Sequence, residues 1–123
     1  MREFVIENYL VKQVKKIGGD CIKMNPHNER GLPDRICIFP KQLVVFVECK
    51  APGKKPRANQ VYWLNNFKKK AFQAVAIDSR PRVDALIRWV KKELAKRNVK
   101  GCDVTQQCIR RQCKLRLTEK ELI

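Results

Sequence analysis

The stretch Leu43-Val44-Val45-Phe46-Val47 holds five apolar residues in a row and runs directly into Glu48-Cys49-Lys50. A strand that is apolar on both faces must be covered on both, so this run predicts a central strand between two layers. Alternation puts Glu48 and Lys50 on the same face as Val44 and Phe46, which leaves a charged pair at the end of an otherwise apolar element. A chain of 123 residues has room for one core around such a strand and not for two.

The flanking patterns supply the layers. Residues 2–17 read as a helix in which Phe4, Glu7, Val11 and Val14 recur at three- and four-residue spacing, with Leu10 and Ile17 beside them and Gly18-Gly19 closing it. Short strands are expected over 21–24 and 34–39, separated by a polar loop with Gly and Pro. Pro40-Lys41-Gln42 turns the chain into the strand over 43–50, and a basic loop follows over 51–57. A helix over 58–70 points Gln60, Leu64 and Phe67 to one side. A fourth strand covers 72–77, and Pro81 suits the first turn of a last helix with the stripe Val83, Leu86, Ile87, Val90 and Leu94. The order α-β-β-β-α-β-α predicts an α/β fold, a mixed sheet flanked by helices. Periodicity fades after Asn98, so one domain is expected over 1–97. A basic extension over 98–123 carries Cys102, Cys108, Cys113, Arg110, Arg111, Lys114 and Arg116.

Charge narrows the partners. Lys and Arg number 28 against 12 Asp and Glu, a formal charge of +16, which points to a polyanion and above all to nucleic acid rather than a membrane surface. No run of about 18 apolar residues exists to span a bilayer, and the N-terminal pattern is not that of a secretory signal. A cytoplasmic, non-secreted protein is expected. Cys21, Cys37 and Cys49 then read as small hydrophobes in strands, since disulfides are rare in a reducing compartment. The later cysteines lack the paired spacing of a zinc site, and His27 is the only histidine.

Register brings the acids together. If the hairpin is centred on Lys41, Asp34 falls opposite Glu48, and directly opposed residues have Cα atoms roughly 4.5–5.5 Å apart. Two carboxylates that close need a proton or a cation between them, and a hard divalent ion, Mg²⁺ or Mn²⁺, is the economical partner. A one-residue slip would separate them. Glu7 is turned toward the core side of its helix, where an ionised carboxylate needs a cation or donors. Gln60 lies on the inward side of its own helix. Between Glu48 and Asp78 there is no acid, while Lys54, Lys55, Arg57, Lys68, Lys69 and Lys70 form a phosphate-binding path, with Tyr62 and Trp63 among them, one a candidate for base stacking although packing is the commoner fate of such rings. Taken singly, Asp34 could cap a turn and Glu48 with Lys50 could be an ordinary ion pair. The ordered set is harder to explain that way.

Gly31-x-Pro33-Asp34, Glu48-x-Lys50, then Gln60 and Trp63 beyond a Gly/Lys loop, resembles the virus-type replication–repair nuclease domain (VRR-NUC) of the PD-(D/E)xK superfamily, in its stand-alone phage type. The resemblance covers about residues 1–97 and implies a restriction-endonuclease-like fold and a Mg²⁺- or Mn²⁺-dependent deoxyribonuclease. It implies metal ligation by Asp34, Glu48 and the Cys49 backbone carbonyl, with Glu7 in the outer shell or on a second ion. Lys50 would position and help deprotonate the attacking water, and Gln60 would support the site. It also implies a homodimer acting on branched DNA, of the Holliday-junction-resolvase type, in the host cytoplasm. The rival classes are a non-catalytic nucleic-acid-binding module and a site-specific restriction-type endonuclease on the same fold. The chain departs from the family pattern at Ala71, where a glycine often follows the helix.

Overall fold

The computed structural model describes residues 2–25 and 29–97. The extension expected over 98–123, with its cysteines, lies outside the described residues. The elements are α1 (Glu3–Lys16), β1 (Asp20–Lys23), β2 (Arg35–Phe39), β3 (Leu43–Cys49), α2 (Ala58–Lys69), β4 (Gln73–Ile77) and α3 (Arg80–Lys96). The strands lie in the order β1-β2-β3-β4, with β3 and β4 parallel and the other pairs antiparallel. This is the α/β architecture read from the sequence. No helix among the described residues is long and apolar enough to cross a membrane.

Strand β3 is central, as its composition demands, and its alternation sorts the two layers. Val45, Val47 and Cys49 join Ile6, Leu10 and Val14 of α1 and Val83, Leu86, Ile87 and Val90 of α3 in the larger core. Phe46 turns the other way, onto Leu64 and Ala74, and its ring stacks on Phe67 at 4.1 Å. Glu48 has the parity of Phe46, so it lies in the α2 layer.

The buried stripe of α1 is Ile6, Leu10 and Val14. That differs from the expected line through Phe4 and Val11, and Phe4 is 54% exposed. Both lines satisfy helical spacing. The choice between them is made by packing on β3 and α3, which a one-dimensional pattern does not contain.

The hairpin has the register expected for a turn centred on Lys41, with Arg35 opposite Val47 and Phe39 opposite Leu43. Lys41 and Gln42 both take positive φ, 61° and 65°, without being glycine. The end of α3 holds them there: Lys41 Nζ donates to the Leu94 carbonyl at 2.7 Å, and Arg97 donates to the Lys41 carbonyl at 3.2 Å.

Two helices end by one device. In α1, Gly18 sits at φ 82°, its N–H bonds the Lys15 carbonyl, and the Gly19 N–H reaches back to Val14. In α2, Ala71 takes the same left-handed conformation at φ 69°, with Ala71 N–H on Lys68 and Phe72 N–H on Phe67. A Cβ there costs about 1 kcal/mol that glycine avoids. Ala71→Gly is therefore expected to raise the midpoint of a thermal melt by several degrees. A lower midpoint would show that the chain end is held by something other than this cap.

Candidate active site

The site is assembled where β2 begins and β3 ends. Asp34 directly precedes β2, and its placement is set by the loop before it. Gly31 lies at φ 90°, and a Cβ at this position would come within 2.7 Å of the Asn59 backbone, so the loop rests directly on α2. The Trp63 indole N–H ties the same loop down by donating to the Arg30 carbonyl at 3.0 Å. Trp63 is thus a clamp for the Asp34 loop, and Tyr62, 62% exposed, is the one of the aromatic pair that faces solvent.

Asp34 Oδ2 accepts a hydrogen bond from the Cys49 backbone N–H at 2.9 Å, which fixes the carboxylate against the end of β3. In an extended strand the N–H and C=O of one residue point to the same side, so the Cys49 carbonyl also faces Asp34. Glu48 is almost fully buried, at 1% exposure. Its Oε1 accepts from Gln60 Nε2 at 3.0 Å and lies 3.6 Å from Lys50 Nζ. Gln60 is itself oriented, because its Oε1 accepts from the Arg57 N–H at 2.8 Å at the start of α2. With that oxygen engaged, the amide has only its NH₂ to turn toward Glu48.

The other oxygen of Glu48, the buried Oε2, meets no hydrogen-bond donor among the described residues. Burial first, and then the charge of Asp34, push the Glu48 carboxyl up to about 8 against an opposing pull from Lys50, and the protonated carboxyl is further favoured by a hydrogen bond to Asp34. Asp34, Glu48 and Glu3 each bring one oxygen to within 4.8 Å of the others. Burial and Asp34 raise the Glu3 carboxyl too. Three acids, an unanswered buried oxygen and hard oxygen donors together fit a divalent cation.

Glu3 was not singled out from the sequence. Its signal is that it lies three residues before Ile6, close to the stripe that is actually buried. Glu7, one turn further on, is half-buried with Oε1 3.2 Å from Arg35 Nε. It lines the cleft that also holds Glu3 and Asp34, but its charge is answered by Arg35.

The basic residues divide into two groups. Lys54, Lys55 and Arg57 are exposed on the loop that leads from the end of β3 to Gln60. Gly53 N–H on Asp78 Oδ2, at 3.3 Å, ties this loop to the β4–α3 junction. Lys68, Lys69 and Lys70 are exposed at the other end of α2, roughly 13 Å along the helix from Gln60. Cys37 and Cys49 are buried in the larger core and Cys21 is half-buried, opposite Cys37 with sulfurs 3.7 Å apart.

A mixed sheet flanked by helices, with acids and a lysine converging at one end of its central hairpin, defines a restriction-endonuclease-like α/β fold. A solved VRR_NUC domain superposes with a TM-score of 0.66 at 28% identity, over 70% of this chain and 94% of that one. "Putative nuclease p44" of Acyrthosiphon pisum secondary endosymbiont phage 1 is 40% identical over 79 residues, 64% of this chain and 85% of the phage protein. No family profile matches the chain. The chain belongs to the VRR-NUC nuclease family, in its phage type.

Proposed function

We propose that the chain is a divalent-metal-dependent DNA endonuclease with a preference for branched DNA, four-way junctions included. The observation that carries this reading is the buried, partnerless Glu48 Oε2 within the group of Glu3, Asp34 and Glu48. Asp34 and Glu48 would hold Mg²⁺ or Mn²⁺, with the Cys49 carbonyl as a further ligand, Glu3 completing the acid set and Glu7 in the outer shell. Such an ion supplies positive charge to the phosphate and lowers the pKa of a water it carries.

The chain's own groups do the rest. Lys50, fixed beside Glu48 at 3.6 Å, orients the attacking water and offers a cation to the negative charge that grows on the phosphate. Gln60 holds Glu48 Oε1 at 3.0 Å, so the carboxylate keeps one geometry through the reaction. Lys54, Lys55 and Arg57 receive the DNA backbone beside the carboxylates, and Lys68, Lys69 and Lys70 extend that path. Two copies related by a twofold axis would cut a symmetric junction on both sides. The nuclease domain spans 1–97, with 98–123 as a basic extension. By analogy with the phage relative, the host cytoplasm is the place of action.

Cleavage of linear, flapped and four-way DNA, with and without Mg²⁺ or Mn²⁺, tests the reading. Metal-dependent cutting that favours branched DNA is expected, and cutting at one linear sequence would indicate a restriction-type enzyme instead. Neutralising Lys54, Lys55 and Arg57 together is expected to flatten the salt dependence of DNA binding by roughly one unit of slope per lost phosphate contact. An unchanged slope in fluorescence anisotropy would remove the loop from the interface.

A further inference from the structure

Phe4 has no place in either core, yet it follows Glu3 directly in the chain and stands 54% exposed at the mouth of the acid cluster. Exposed apolar side chains are common and mean little singly. This one lines a cleft of about 400 Å³ together with Arg2, Glu3, Glu7, Lys23 and Asp34. Glu7 is neutralised by Arg35, whereas Arg2 and Lys23 are exposed and form no ion pair among the described residues. The cleft therefore offers an aromatic face, two cations without an ion pair among the described residues, and Glu3 and Asp34 of the acid cluster.

We infer that Phe4, Arg2 and Lys23 form a subsite for the nucleotide next to the scissile phosphate, with Phe4 stacking on its base; this rests on the nuclease reading above. Phosphates have affinity for exposed Arg and Lys, and the face of any base can stack on an aromatic ring. The geometry also selects for DNA shape. Inside an uninterrupted duplex both faces of every base are covered by neighbours, and Phe4 finds nothing to stack on. At a flap, or at the opened centre of a junction, an internal base has one face free. Phe4 thereby becomes a substrate-binding residue that favours branched DNA without reading sequence.

The test compares kcat/KM on four-way, flapped and linear DNA for wild type, Phe4→Ala, Phe4→Tyr and Tyr62→Ala. Phe4→Ala should lose about tenfold on branched DNA and little on linear duplex, with Phe4→Tyr close to wild type. An equal loss on every shape, no loss, or a shape-specific loss in Tyr62→Ala alone would overturn the inference. If wild type cuts nothing in Mg²⁺ or Mn²⁺, the nuclease reading fails. The branched-to-linear ratio of binding affinities in EDTA then decides the Phe4 subsite by itself: it drops in Phe4→Ala if the subsite exists and is unchanged if it does not.

Discussion

Glu48→Ala and Asp34→Ala are each expected to lower phosphodiester cleavage in saturating Mg²⁺ by roughly 10³-fold or more, about 4 kcal/mol of transition-state stabilisation. The size follows from what each residue holds. Removing Glu48 deletes the oxygen that is buried without a partner and leaves Gln60 Nε2 and Lys50 without their acceptor. Removing Asp34 deletes a second donor and frees the Cys49 N–H. Neither loss touches Lys54, Lys55 or Arg57, so DNA affinity should be retained, and should rise where a negative charge facing the backbone is gone. Single-turnover cleavage beside binding in EDTA separates the effects. A Glu48→Ala protein that cuts at the wild-type rate would dissociate the reaction from these carboxylates.

The second large effect is on stability, which falls as pH rises. An unfolded glutamate ionises near 4.5, whereas the Glu48 carboxyl in the metal-free fold is pushed up to about 8. Between those values the native state retains a proton that the unfolded state has released. Stability is thus fully present below the lower value and falls as pH rises through the upper one, by at most ~1.4 kcal/mol per pH unit. A divalent ion takes the place of that proton. In EDTA the thermal midpoint should drop between about pH 5 and pH 8.5, and Mn²⁺ should restore it at the alkaline end far more than at the acid end. Glu48→Gln should abolish both the slope from this group and much of the response to Mn²⁺. A midpoint that climbs over the same range in EDTA would mean that Glu48 is not held as described.

What the sequence disclosed was whatever depends on short-range periodicity. Strand alternation and the Lys41-centred turn were enough to set Asp34 against Glu48 with Lys50 beside it, because a hairpin's register follows from its turn. Helix α1 was legible as a helix but not in rotation. The stripes through Phe4 and through Ile6 are equally periodic, and only contact with β3 and α3 selects the second. That rotation moves attention from Glu7 to Glu3 and turns Phe4 outward. The role of Trp63 was hidden for a different reason, since its partner is a backbone carbonyl at Arg30, far away in the chain. Ala71 likewise looked like a missing cap, and it turns out to adopt the glycine conformation itself. The run of lysines read as one path is separated by the length of α2 into a group at the site and a group remote from it.

The most direct measurement is a crystal structure of the wild-type protein soaked in Mn²⁺, with anomalous scattering used to locate the ion. A peak is expected about 2.1 Å from oxygens of both Asp34 and Glu48, with the Cys49 carbonyl in the same shell. An active enzyme whose manganese lies elsewhere, with Glu48 Oε2 still unpartnered, would contradict it.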